Sequence, residues 1–464
     1  NLALAPRQPG SALKPFTYAA AFDPSRQDPW SPSTVLLDVR TAFVTRRLES
    51  FVPANYSLQE HGPVRIRTAL GSSYNIPAVI ALQHIGLDSL ARLAGELGIS
   101  TLTDPDRFDL ALTLGGGEVR LLELAAAYGA LANGGRRVNP ELLLEVHDHT
   151  GQTLYEWAPH EGTQVLDPRV AWLITDILSD NNARTPSFGP HSALNLGRPA
   201  VAKTGTTTDF RDNWTIGYTP NLVAGVWVGN ADNSPMVKVS GISGAGPIWN
   251  EFMRTVLRGK PELSFERPEG LVQAEVCALS GLLPTEDCAL RVVDWFIEGT
   301  VPTEHDTFYQ RFTIDTATGL LADEHTPSEQ REERVYLVLP PEARDWARRQ
   351  GLPAPPLDAP LSTADAAAPL RLTSPDPYTV FRLSPITPAE TQRTRLSATA
   401  PPDTINLTFL LDGEPLTTLN NPPWEAWWAL TPGPHELVAR AALSDGALRE
   451  SEPVAFSVRG YYDE

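Results

Sequence analysis

The stretch GLPAPPLDAPLSTADAAAP, residues 351–369, divides the chain into two folding problems, because so much Pro and Ala offers no apolar stripe for a packed element. With 464 residues, two or three domains are expected. Residues 1–258 alternate helical periodicity with short apolar strands. Residues 259–350 read as a loop-rich segment containing a cysteine pair, with a strand at Val335–Leu339 and a short helix at Pro341–Gln350 near its end. Residues 370–464 carry short strands with turn signals about every ten residues, the spacing of a small β-sandwich. TINLTFLLDGEP, with Asp412 and Gly413 at the turn, is one such unit.

Within the first part, SALKPFTYAAAF reads as a helix, and Pro15, tolerable only in a first turn, puts Ser11 at or beside its N-terminus. Helical patterns follow at Val64–Leu70, Ile76–His84, Asp88–Leu97, Val119–Ala132 and Pro168–Leu178. LLLEVHDHTGQTLYEW has the arms and turn of a hairpin. Three strands are expected at Ala200–Gly205, Asp212–Tyr218 and Leu222–Val228. Thr219, Pro220 and Asn221 make the last two an antiparallel pair.

The charge balance, 37 basic against 56 acidic residues and net −19, argues against a nucleic-acid partner and against electrostatic attachment to anionic lipid. No apolar run reaches the ~20 residues that cross a bilayer. Cys277 and Cys288 flank CALSGLLPTEDC. A short loop closed by a disulfide would suit an oxidising compartment, and two free cytosolic thiols are the alternative. Two cysteines alone make a poor metal site, and His147 and His149, on one strand face, have no third ligand nearby. No metal and no cofactor is expected. Trp424, Trp427 and Trp428 could stack on sugars; a sandwich core or domain interface accounts for them more simply.

Lysine occurs only at Lys14, Lys203, Lys238 and Lys260, arginine serving elsewhere, so a retained lysine points to chemistry that needs a proton to leave. Ser11 and Lys14 form S-x-x-K, one helical turn apart on one face. A serine hydroxyl needs a base, and a desolvated lysine can be one near neutrality. Ser73, Tyr74 and Asn75 form S-x-N at a break between two helices, placing a hydroxyl as proton relay and an amide to hold a carbonyl; helix capping by Ser72, Ser73 or Asn75 is the plainer reading. Lys203, Thr204, Gly205 and Thr206 form K-T-G-T on an apolar strand. Gly205 leaves room for a substrate along the strand edge, the two threonine hydroxyls suit a carboxylate, and Lys203 favours the unprotonated form of Lys14. Singly, each motif also fits an ordinary helix face, cap or strand end.

As an ordered set the three motifs resemble those of serine β-lactamases and penicillin-binding proteins. RQPGSALKPFTYAAAF, LALTLGGGEVRLLELAAAYGALANGG and AVAKTGTTTDFRDNWTIGYTPNLVAGVWVGN resemble transpeptidase domains of class A penicillin-binding proteins. The GAGPIW run, the cysteine loop and the terminal β-module resemble the 1C type. The resemblance implies an α+β fold of the serine β-lactamase/DD-transpeptidase kind, an antiparallel sheet flanked by helices, followed by a small all-β immunoglobulin-like sandwich.

It also implies a peptidoglycan D,D-transpeptidase with Ser11 as nucleophile, Lys14 as base, Ser73 as relay, and backbone N–H groups of Ser11 and Thr206 as oxyanion hole. Its partners would be peptidoglycan stem peptides and β-lactam antibiotics, with no nucleic acid, and the terminal module would meet a protein or cell-wall partner. In that family a membrane helix and a glycosyltransferase domain precede the transpeptidase, at the periplasmic face of the inner membrane, and sheet strands precede the nucleophile. Only ten residues precede Ser11 here, so the chain is expected to be an N-terminally truncated fragment, poorly folded or inactive alone. A carboxypeptidase or β-lactamase, differing in using water as acceptor, is the alternative enzyme. A non-catalytic sensor that keeps the penicillin fold is the alternative of another class.

Overall fold

The computed structural model describes residues 1–46, 50–237, 239–356, 370–383, 392–401 and 403–459. Most of the 351–369 linker and Lys238 lie outside the described residues. The chain forms two compact units. The first comprises 1–39, 54–310 and 335–353, and the second comprises 40–53, 311–334 and 354–464.

The first unit is built around helix α1, Lys14–Ala21, every residue of which is buried. Its alanines let neighbouring helices approach closely, and Pro15 occupies the first turn, where a missing N–H costs nothing. Chain order then gives β1 (Val35–Asp38), β2 (Gly62–Arg65), α2 (Ile66–Gly71), α3 (Asn75–Ile85), α4 (Leu87–Glu96), α5 (Leu121–Ala132), α6 (Pro168–Ser179) and α7 (Asn181–Phe188). The pattern expected to start a helix at Val64 begins as strand instead, because β1 and β2 pair antiparallel through Arg65. Helix α6 is capped by Asp167, whose carboxylate accepts from the Arg169 N–H at 2.8 Å.

Three strands form the main sheet of this unit: β3 (Val201–Thr206), β4 (Asp212–Thr219) and β5 (Leu222–Gly229), in the order β5-β4-β3 and antiparallel throughout. β4 is buried along its whole length. The apolar faces of α1, α5 and α6 pack with Trp214, Ile216 and Tyr218 of this strand in one core. A second cluster forms on helix α8 (Ala245–Val256), where Trp249 and Met253 meet Ala202 and Ala224.

The segment expected to be loop-rich holds regular structure. β6 (Leu271–Cys277) and β7 (Arg291–Ile297) pair in register, and a further strand runs over Tyr309–Asp315, while the strand and helix expected near the end of the segment form at Arg331–Leu337 and Pro341–Arg349. The charged Asp294 inside β7 made that strand look like loop. It is buried because Arg65 and Arg67 bond to it at 2.9 and 3.0 Å. Cys277 and Cys288 are joined by a disulfide.

In the second unit, a three-stranded sheet of Arg371–Ser374, Arg393–Thr399 and Glu425–Ala429 accompanies a six-stranded one around Gly433–Leu443. Leu396, Phe409, Leu437 and Phe456 form their shared core, the alternation of a sandwich. Trp424 and Trp428 belong to that core, whereas Trp427 is exposed. In the first unit, His147 lies in a strand and bonds to Glu145 and Thr153, but His149 sits in the turn, so the two share no strand face. Among the described residues no cluster of three His, Cys, Asp or Glu suits a metal, and no helix is long and apolar enough to cross a membrane.

Candidate active site

Ser11 lies in a 3₁₀ turn, Gly10–Leu13, directly before α1, instead of in the α-helix itself. Two glycines bring this turn onto strand β3. Gly10 has φ +54°, and a Cβ there would lie 2.6 Å from the Thr206 carbonyl oxygen and 2.7 Å from its nitrogen. A Cβ on Gly205 would lie 2.1 Å from the Pro9 oxygen. The two backbones thus touch where only hydrogen fits. Buried Tyr128 donates its hydroxyl to the Ala12 carbonyl at 2.7 Å, and the Trp214 indole donates to the Gln8 carbonyl at 2.6 Å, holding the turn from both sides. Neither anchor was visible in sequence, since a buried aromatic reads as core.

Lys14 is fully buried. Its Nζ donates to the Ser73 carbonyl (2.8 Å), the Tyr74 carbonyl (2.9 Å) and Asn75 Oδ1 (2.7 Å). The S-x-x-K spacing predicts reach toward Ser11; the three bonds run instead to the S-x-N loop. That loop turns at Ser73 with φ +62°, a left-handed conformation costing roughly 1–2 kcal/mol in a non-glycine residue. Asn75 is the first residue of α3 and no side chain caps that helix, so neither Ser73 nor Asn75 is a side-chain N-cap, whereas Ser72 stands at the C-cap of α2. Across from the loop, buried Lys203 on β3 donates to Ser73 Oγ at 2.7 Å and to the Thr204 carbonyl at 3.0 Å. Ser73 therefore receives both lysines, Lys14 on its carbonyl and Lys203 on its hydroxyl.

Strand alternation turns Thr204 and Thr206 to the opposite face of β3 from Lys203. There Thr206 Oγ1 accepts from the Gly241 N–H at 2.9 Å, which leaves its own proton available. Thr204 is buried against the same glycine.

Burial is the main force on both amines. It pushes Lys14 well below its usual range, the charge of Lys203 adds to this, and the carboxylate of Asp38 opposes it. Burial, followed by the guanidinium of Arg184, lowers Lys203 to about 7. Arg184, on α7, is itself buried, with carbonyls of Leu194 and Leu178 as its acceptors. One amine's charge disfavours the other's, so the pair is poised to carry fewer than two protons near neutrality. A hydroxyl three residues before such an amine, with a second hydroxyl bonded to the other amine, is a set of groups capable of nucleophilic attack and of proton return to a leaving group.

The first unit has the β-lactamase/DD-transpeptidase fold. The family model for the penicillin binding protein transpeptidase domain matches residues 2–254, more than half of the chain. The chain belongs to that family. The penicillin-binding protein 1A C-terminal domain matches 267–311, and the penicillin-binding protein C-terminus family matches 359–443. Penicillin-binding protein 2D of Bacillus subtilis is 34% identical over 305 residues, 64% of this chain and 43% of the relative. Penicillin-binding protein 1C of Escherichia coli is 32% identical over 301 residues, 64% of this chain and 36% of the relative.

Among solved structures, penicillin-binding protein 1A from Haemophilus influenzae superposes with TM-score 0.57 at 28% identity, covering 66% of this chain and 50% of that one. PonA1 of Mycobacterium tuberculosis gives 0.51 at 25%, covering 57% and 72%. A transpeptidase domain followed by these two modules, with 1A and 1C proteins among the relatives, is the organisation of a class A penicillin-binding protein of the 1C type. The chain spans less than half the length of the curated relatives named here.

Proposed function

We propose that the chain carries the D,D-transpeptidase activity of a cell-wall synthase and works through an acyl-Ser11 intermediate. The observation that carries this reading is the pair of bonds converging on Ser73, from Lys14 and from Lys203, beside the turn that holds Ser11. An ammonium has three protons, and the three acceptors around Lys14 Nζ match them. Loss of one proton leaves two N–H bonds and a lone pair free to take the Ser11 proton.

Ser11 Oγ then bonds to the carbonyl carbon between the last two D-alanines of a stem peptide. The developing oxyanion is met by the N–H groups of Ser11 and Thr206, each such donor typically worth ~10²–10³ in rate. As the C–N bond breaks, Ser73 Oγ passes a proton to the departing D-alanine nitrogen and is replenished from the lysine pair. The amine of a second stem peptide repeats the sequence in reverse, forming the cross-link and freeing Ser11. A β-lactam acylates the same oxygen through its strained amide. Asn75 and the Thr206 hydroxyl hold the peptide carbonyl and carboxylate. The full-length protein adds a glycosyltransferase activity and a membrane anchor, and works at the periplasmic face of the inner membrane.

Labelling with a fluorescent penicillin, wild type against Ser11→Ala, tests the reading. The adduct maps to Ser11 by mass and vanishes in the variant. A label that survives the substitution removes Ser11 as nucleophile. Slow hydrolysis of the adduct fits a synthase, whereas rapid turnover of penicillin makes the chain a β-lactamase.

A further inference from the structure

Behind the Ser73–Asn75 loop lies a buried polar array that the proposed reaction leaves unused. Asp38, at the end of β1, is fully buried. Its carboxylate accepts from Asn55 Nδ2 at 2.9 and 2.7 Å, from the His61 N–H at 3.1 Å and from the His61 ring. Asn55 is 3% exposed and fully committed. Its Nδ2 also donates to the Gln59 carbonyl, and its Oδ1 accepts the Asn75 backbone N–H at 2.7 Å. Asn75 in turn donates its own Nδ2 to the Ala54 carbonyl while its Oδ1 receives Lys14. The His61 ring stacks on Tyr74 with centroids 3.9 Å apart, and the Tyr74 carbonyl is another acceptor of Lys14. Two of the three acceptors around Lys14 are thus held from behind by groups that bond to one carboxylate.

We propose that Asp38 is a positioning residue for Lys14: through Asn55 and His61 it holds the Ser73–Asn75 loop around the amine, with its negative charge behind that loop. The proposal rests on the reading of Lys14 as the base. Removing a buried partner from a network of this kind leaves the remaining polar groups unsatisfied, so the loop has no alternative seat. The charged and titratable groups around Lys14 are Lys203 on β3, Asp38 on β1 and the Tyr18 phenol one turn along α1. Arg184 lies behind Lys203, and the His61 ring bonds to Asp38. Of these, Asp38 opposes the effect of burial and of Lys203 on Lys14. Loss of its charge must move the amine's titration to lower pH.

With four lysines in the chain, ¹³Cε-lysine NMR resolves Lys14 directly, its signal assigned by Lys14→Arg. In Asp38→Asn, which keeps an acceptor for Asn55, the Lys14 midpoint moves down by about half a pH unit or more. The acid limb of penicillin acylation moves with it. In Asn55→Ala, acylation slows by about tenfold or more at every pH while the melt stays cooperative, as expected for a misplaced reacting group. An unmoved Lys14 midpoint in Asp38→Asn, or an unchanged rate in Asn55→Ala, overturns the proposal. A midpoint that moves in a wild-type background that never acylates would sink the catalytic reading and leave the positioning role standing.

Discussion

Lys203 Nζ and Ser73 Oγ are 2.7 Å apart although 130 positions separate them in the chain. Lys14 Nζ bonds to the carbonyl of that same serine at 2.8 Å. A single residue in a left-handed turn therefore links two buried amines, and their protons must be treated as belonging to a pair.

The rate of penicillin acylation is expected to be bell-shaped in pH. It rises on the acid side as Lys14 gives up its proton. It falls on the alkaline side as Lys203, lowered to about 7, loses the charge that it holds against the Ser73 hydroxyl. Lys203→Arg keeps its charge throughout, so the alkaline fall disappears, while the imperfect fit of a guanidinium lowers the maximum by about tenfold or more. Stopped-flow labelling from pH 5 to 10 reads both effects.

Stability has a pH dependence of the opposite cause. Lys203 is about 7 folded and ordinary when unfolded, so between those values the unfolded chain binds the extra proton. Stability therefore rises with pH across that window, and the cost of burying the amine is greatest below it. Lys203→Met removes the amine. The Tm of the variant minus that of wild type should be more positive at pH 6 than at pH 9, by scanning calorimetry; an equal difference at both refutes the assignment.

Gly205→Ala puts a methyl 2.1 Å from the Pro9 oxygen, which is backbone and has no side-chain freedom to yield. A loss of about 1–3 kcal/mol is expected from overpacking. Labelling should slow about 100-fold, because Thr206 is pushed away from the Ser11 turn. Gly129→Ala, inside α5 with its nearest neighbour at 3.8 Å, is the control and should be neutral or stabilising by up to about 1 kcal/mol.

Asp294 is a buried carboxylate bonded to both Arg65 and Arg67. Asp294→Ala leaves two largely buried guanidinium groups without it and should cost about 3–5 kcal/mol in urea unfolding. Glu96→Ala breaks only the exposed pair with Arg92 and should cost under about 0.5 kcal/mol.

Features with a period or a fixed spacing were legible in the sequence. The strands at 201–206, 212–219 and 222–229 follow their apolar runs, and the antiparallel pairing of the last two follows from the turn at Thr219–Asn221. Helices α3, α4 and α5 begin within two residues of their patterns. The strand β7 was missed because Asp294 interrupts its apolar run, and the α-helix placed at Ser11 begins three residues later because the chain enters it through a 3₁₀ turn. Asp38, Asn55, His61, Tyr128 and Arg184 carried no signal, since none stands at a spacing that implies chemistry.

The order of residues determined which groups exist and which neighbours share a face: a hydroxyl and an amine three positions apart, a strand bearing lysine, a glycine where no side chain fits. Folding decided what those groups bond to and which protons they hold. Dehydration and Coulomb energy depend on distance through space, and the partners of Lys14 lie 59 to 61 positions away along the chain.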